Sequence, residues 1–196
     1  MVSKKSLAVS AAIALSIIST GALAQGESAE ADKPTTVTSP FEHEAVVIPL
    51  EPGWQMANTL KAGDSYTLQF LPPGQTAKNF DQILNVTTYK GAQRKATALK
   101  FMETTKEKML GMKEAKVDWN IISATDPNDV IYEYVFTGNT TFPSQYEVTR
   151  VITGKDGLHT VVHHRPKASV TPSEREQMIN SVKRISLKPV DAKTKS

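Results

Sequence analysis

The chain has 196 residues with 23 Lys and Arg against 20 Asp and Glu, four His and no Cys. The absence of cysteine excludes a disulfide framework, a thiol nucleophile and a lipid-attachment cysteine, so the fold has to be held by its core. Two of the basic residues, Lys4 and Lys5, sit in a segment that reads as a targeting signal, and without them the count is 21 to 20. A near-neutral chain does not supply the concentrated basic face that nucleic acid or an anionic membrane requires.

From the N-terminus, Lys4-Lys5 forms a charged n-region, Leu7 to Ile18 an apolar h-region and Ala22-Leu23-Ala24 a small-residue cleavage site, which is the pattern of an export signal over residues 1–24. The expected protein is then exported, periplasmic or secreted, with no stable membrane insertion after cleavage near Ala24. Residues 25–43 contain Pro34, Pro40 and many small polar residues, and read as a flexible leader.

One domain is expected over residues 44–188. Ala45 to Leu50 reads as a short apolar strand. Trp54 to Leu60 and Ser65 to Leu71 flank the Gly-containing turn Lys61 to Asp64, and Tyr66, Leu68 and Phe70 alternate with Thr67 and Gln69 as in a half-buried strand. Pro72-Pro73-Gly74 ends that strand, because neither proline can donate to a ladder. A polar loop leads to the strand Ile83 to Tyr89. Residues 93–112 then carry an apolar stripe of Leu99, Met102, Thr105, Met109 and Met112, which predicts an amphipathic helix lying on a sheet.

Two hairpins follow. Residues 116–124 and 130–137 are joined around Pro127. With Thr125 opposite Val130, Trp119 would pair with Phe136 and Ile121 with Tyr134 on one face. Residues 145–153 and 158–165 are joined by Gly154-Lys155-Asp156-Gly157, and the four strands form an antiparallel meander. Thr171-Pro172-Ser173-Glu174 is a capping box opening a last helix that buries Met178, Ile179, Val182 and Ile185. Residues 189–196 are a polar tail. The fold class is α+β: a mostly antiparallel sheet of about six to seven strands with helices packed on it.

The block from Phe70 to Val86 (FLPPGQT, then NF, then L-x-V), the early Gly53-Trp54 and the later Gly154-x-x-Gly157-Leu158-His159 resemble small exported bacterial proteins of the PsbP-like α/β/α sandwich superfamily, the DcrB-like group among them. In that pattern an aromatic, usually Trp, follows the loop Asn, and a Thr precedes the Val; Phe80 and Asn85 stand at those places. The resemblance implies a three-layer fold and action through protein contacts. It implies no catalytic residue.

No catalytic motif emerges. There is no G-x-S-x-G elbow and no phosphate loop, and no cofactor is expected. His159 and His163 share a strand face about 13 Å apart while His164 points to the other, which is poor geometry for a metal. They read as residues of a half-exposed strand, with His164 facing Glu147 across the hairpin. The expected contact surface for an unknown protein partner is Gln75, Thr76, Asn79, Phe80 and Phe142, with Phe142 either a plug on a sheet edge or an exposed anchor. An exported, non-enzymatic contact domain is the first functional reading, and a periplasmic small-ligand carrier with a pocket between sheet and helix is the alternative.

Overall fold

The computed structural model describes residues 35–37, 42–113, 115–138 and 143–190. Ten strands and two helices occur among them: β1 (Thr35–Val37), β2 (Glu44–Ile48), β3 (Gln55–Ala62), β4 (Ser65–Leu71), β5 (Ile83–Lys90), α1 (Ala98–Leu110), β6 (Lys116–Asp126), β7 (Asp129–Thr137), β8 (Gln145–Thr153), β9 (Gly157–Arg165), α2 (Pro172–Lys183) and β10 (Ser186–Pro189). Seven strands form one antiparallel sheet in the order β3-β4-β5-β9-β8-β7-β6, and β1-β2-β10 form a second, smaller one. The chain is thus α+β with strands dominant. The β6-to-β9 meander is present, and β5 joins it to the β3–β4 hairpin by pairing with β9.

Strand alternation divides the large sheet into two faces. Tyr132, Tyr134, Phe136, Val151 and Leu158 turn to one of them, where Ala98, Met102 and Met109 of α1 meet them. Phe70, Val86, Val148 and Val161 turn to the other, where Met178, Val182 and Ile185 of α2 and Val46 and Ile48 of β2 complete a second core. One helix therefore packs on each face. β2 belongs to the small sheet and is buried along its whole length, which explains its uninterrupted apolar run where a half-exposed strand would alternate.

A local cap together with groups from distant elements satisfies the helix ends. Thr97 caps α1 through a bond from the Lys100 N–H at 3.3 Å. The Ala98 N–H donates to the Thr153 hydroxyl at 2.9 Å, and the Leu99 N–H to the Pro127 carbonyl at 2.9 Å. These are orphan first-turn donors given tertiary acceptors. α1 accordingly starts at Ala98, five residues later than the expected helix, and Ala92–Arg94 form a separate 3-10 turn. At the far end of α2, the Arg150 guanidinium donates to the carbonyls of Val182, Lys183 and Ile185, a cation placed where the helix dipole is negative.

Three further expectations need correction. Around Pro127, Asp126 does face Asp129, but irregularities at Ile121/Ser123 and Ser123/Asp126 shift the ladder so that Trp119 opposes Tyr134 and Ile121 opposes Tyr132. The shift is two residues, so the aromatic set keeps its face. Thr35–Val37, within the expected leader, pairs with β2. Ser186–Pro189 continues past α2 as β10, also on β2.

Candidate functional site

The feature with the most chemistry at an accessible surface is a groove of about 340 Å³ on the α2 face, over β6 and β7. Register places Asn120 of β6 opposite Glu133 of β7, and Val135 opposite Tyr146 of β8. The Thr171–Glu174 capping box starts α2 so that Arg175, in its first turns, reaches down onto Glu133. The segment Ala168 to Val170 forms a wall.

Glu133 is buried and receives four donors. Arg175 Nε and Nη2 donate at 2.8 and 2.6 Å, Asn120 Nδ2 at 2.7 Å, and the Tyr146 hydroxyl donates to the remaining oxygen lobe. Burial by itself raises its carboxyl pKa, but the bonds from Arg175, Tyr146 and Asn120 outweigh that and leave it below the ordinary value. Burial and the adjoining Glu133 carboxylate push the Tyr146 phenol up, which keeps it a donor. A carboxylate filled in this way cannot accept a substrate proton without losing an existing bond, so the cluster orients groups and is not a poised base.

A second cluster looks more like a hydrolytic relay and is not one. The Thr88 hydroxyl lies 2.8 Å from His159 Nδ1, and His159 Nε2 lies 2.8 Å from Glu44 Oε1. His159 is 0% exposed, and Thr88 and Glu44 are buried with it, so no substrate reaches the hydroxyl. The cluster is a clamp. Glu44 accepts from the Lys155 and Asp156 N–H groups at 2.8 and 2.9 Å, and Asp156 accepts from the N–H groups of Glu42, His43 and Glu44 at 2.8, 2.7 and 3.2 Å. Each carboxylate thereby caps the other's backbone across more than 110 residues of chain. Burial raises both carboxyls, but these bonds more than offset it; Glu44 lies below its ordinary value and Asp156 falls to about 2.

His163, on the same face of β9, is buried between Ser181 Oγ at 2.7 Å and Gln82 Oε1 at 3.1 Å, with the Trp54 ring edge-on at 5.7 Å. Burial, then the charges of Arg165 and His164, hold its pKa down to about 3. The expectation of half-exposed histidines is therefore wrong for His159 and His163, because the small sheet and α2 cover their face. The face assignment itself holds, and His164 on the opposite side sits 3.0 Å from Glu147, as expected. Among the described residues no group of His, Asp and Glu is arranged to hold a metal ion.

Four of the five expected contact residues lie in the β4–β5 connection. Thr76 and Asn79 exchange backbone bonds at 3.1 and 3.0 Å, and Gln75 Oε1 accepts from the Asp81 N–H at 2.8 Å. Thr76 and Asn79 are exposed, whereas Gln75 and Phe80 are half-buried. Phe80 rests against His164, with ring centroids 6.0 Å apart. Phe142 lies outside the described residues. The large apolar side chains left exposed among the described residues are Met56, Leu60, Leu110 and Ile121.

Sequence reasoning missed Glu133 and Arg175. A signal was present: Glu133 is the lone charge inside the apolar run Val130 to Phe136, on a strand predicted to have one buried side. A charge there needs a partner. Glu44, at the head of Ala45 to Leu50, carried the same signal. No protein-family model matches this chain, and no curated protein matches it either.

Proposed function

We propose that this chain is an exported, non-enzymatic domain that acts by contacting another protein, and that β3 is the contact element. The carrying observation is the exposure of β3. Seven of its eight residues are exposed, and Met56 and Leu60 remain 57% and 43% accessible although they belong to a seven-stranded sheet. α1 packs on β6 to β8 and α2 on β8 and β9, so neither helix reaches this edge. An edge strand offers a row of backbone donors and acceptors to an added strand. The irregularity at Ala57 limits the regular part to Asn58–Ala62.

Export is proposed on the n-region, h-region and cleavage pattern of residues 1–24. Membership of the PsbP-like α/β/α sandwich superfamily is proposed on the Phe70–Val86 block, and a helix on each face of the sheet is compatible with it. The contact role of Gln75, Thr76, Asn79 and Phe80 is retained as a secondary surface, since the loop stands beyond the same end of the sheet as Leu71 and Ile83.

A carrier function is the second reading, favoured by the groove of about 340 Å³, which is at the small end of ligand-pocket sizes. The deciding experiment is a pull-down of the tagged protein from its own envelope fraction and medium, with Leu60→Glu and Phe80→Ala variants in parallel. Strand addition predicts a partner retained by Phe80→Ala and lost with Leu60→Glu. A small molecule co-purifying with every variant and no enriched protein would replace this reading with the carrier.

A further inference from the structure

A guanidinium has two hydrogen-bonding edges, one formed by Nε and Nη2 and the other by Nη1 and the second N–H of Nη2. In Arg175 the first edge is spent on Glu133, at 2.8 and 2.6 Å. Both of these bonds fall on that first edge, and the Tyr146 hydroxyl that donates to Glu133 also lies against the guanidinium, leaving the Nη1 side as the one turned away from Glu133. Arg175 lines the groove over β6 and β7 together with Ser169 and Val170.

That side is held rigidly. Glu133 fixes the guanidinium plane and is itself fixed by Asn120 and by the Tyr146 hydroxyl. An anion arriving there meets a donor fork whose orientation has already been set, so little ordering entropy remains to be lost. The remaining charged residue lining the groove, Asp118, is paired with Lys116 at 3.3 Å. Glu133 and Arg175 offset each other in charge, leaving the geometry of the open fork as the recognition element.

We propose that the groove is a carboxylate-binding site, in which the second edge of Arg175 forks the acid group and the Ser169 hydroxyl supplies a further donor. The volume of about 340 Å³ suits a small organic acid or the C-terminal end of a peptide and is too small for a large cofactor. Both sources present the same planar carboxylate. The groove lies over the edge of the sheet opposite β3, so failure of this proposal leaves strand addition at β3 standing, and the reverse is also true.

The test is an NMR titration of the isotope-labelled protein with N-acetylglycine, with the acid N-acetyl-Ala-Ala and with the C-terminal amide of that dipeptide. Saturable shifts at the Arg175 Nε–H and the Asn120 side-chain amide are expected with the acids and not with the amide. Arg175→Lys, which keeps the charge but has no fork, should weaken the acids by about tenfold or more. Ser169→Ala leaves the Glu133 cluster intact and should weaken them by a smaller factor, which covers the case in which Arg175→Lys does not fold. Tighter binding of the dipeptide acid supports a peptide terminus as the ligand, and equal binding supports a small free acid. Three results would overturn the proposal: no saturable shift with either acid, equal shifts with the amide, or acid affinity unchanged in Ser169→Ala and in any folded Arg175→Lys.

Discussion

Gly154 opens the β8–β9 turn, and the reason it must be glycine lies 110 residues upstream. A Cβ added there would sit 2.2 Å from Glu44 Oε1 and 2.6 Å from Oε2. Its backbone is not in the left-handed region, so alanine is refused on contact grounds alone. In Gly154→Ala the Glu44 carboxylate has to leave its place, breaking its bonds from the Lys155 and Asp156 N–H groups and from His159. A hydrogen bond to a charged group contributes about 1.5–3 kcal/mol, and breaking a buried ionic arrangement by removing one side costs about 3–5 kcal/mol. Partial relaxation of the hairpin lowers the sum, so the expected loss is about 3–4 kcal/mol. Urea unfolding followed by the fluorescence of the two tryptophans would read this as a lower midpoint at unchanged slope. A cycle with Glu44→Ala isolates the cause: once the carboxylate is gone, Gly154→Ala should cost under about 1 kcal/mol. A cost within about 0.5 kcal/mol of zero in the parent protein, or the same cost in both backgrounds, would refute the clamp.

Acid should destabilise the fold in two overlapping windows. His163 is held down to about 3 from an unfolded value of 6.5, so the native state binds fewer protons than the unfolded chain between those values. Its contribution is complete above pH 6.5 and is lost as the pH falls towards 3, with a ceiling on the order of 5 kcal/mol. His163→Gln should flatten the dependence of urea stability on pH in that range; an unchanged slope would show that His163 is not its source. Asp156, lowered from 3.8 to about 2, adds a further loss as the pH falls below about 4, to be checked by its disappearance in Asp156→Asn. Met102→Ala removes a buried side chain between α1 and the sheet, and should cost about 2–5 kcal/mol in urea unfolding. Thr171→Ala deletes the α2 cap and should cost about 1 kcal/mol in the same assay, with Thr171→Ser recovering most of it.

The contrast between α2 and β2 shows how much was legible. The T-P-S-E box specifies where α2 begins from four adjacent residues, because its bonds close within one turn. β2 was recognisable as an apolar strand, yet nothing adjacent to it says that it leaves the large sheet to pair with Thr35–Val37 and Ser186–Pro189. The β6–β7 hairpin lies between these cases. Its turn was placed by Pro127, but its two irregularities followed no local signal, and they moved Trp119 from Phe136 to Tyr134.

The same distinction applies to the chemistry. His164 and Glu147 belong to one hairpin with an evident turn, so counting residues was enough to put them opposite each other. Glu133 with Arg175, 42 residues apart, and Glu44 with His159, 115 apart, meet only because α2 and the small sheet fold onto the same sheet face. Alternation along β9 decided from sequence which side each histidine takes. Whether that side is wet or sealed depends on what packs against it, and the burial of His159 and His163 was settled by elements far from them in the chain.

Period-two patterning, Gly and Pro turns and the helix cap were properties of the sequence alone, because each is written in interactions spanning a few residues. The partition of strands between two sheets, the sealing of the His159 clamp, the exposed β3 edge and the accessible side of Arg175 were decided by tertiary structure. Burial and ion pairing depend on the arrival of distant surfaces, and no local pattern encodes their arrival.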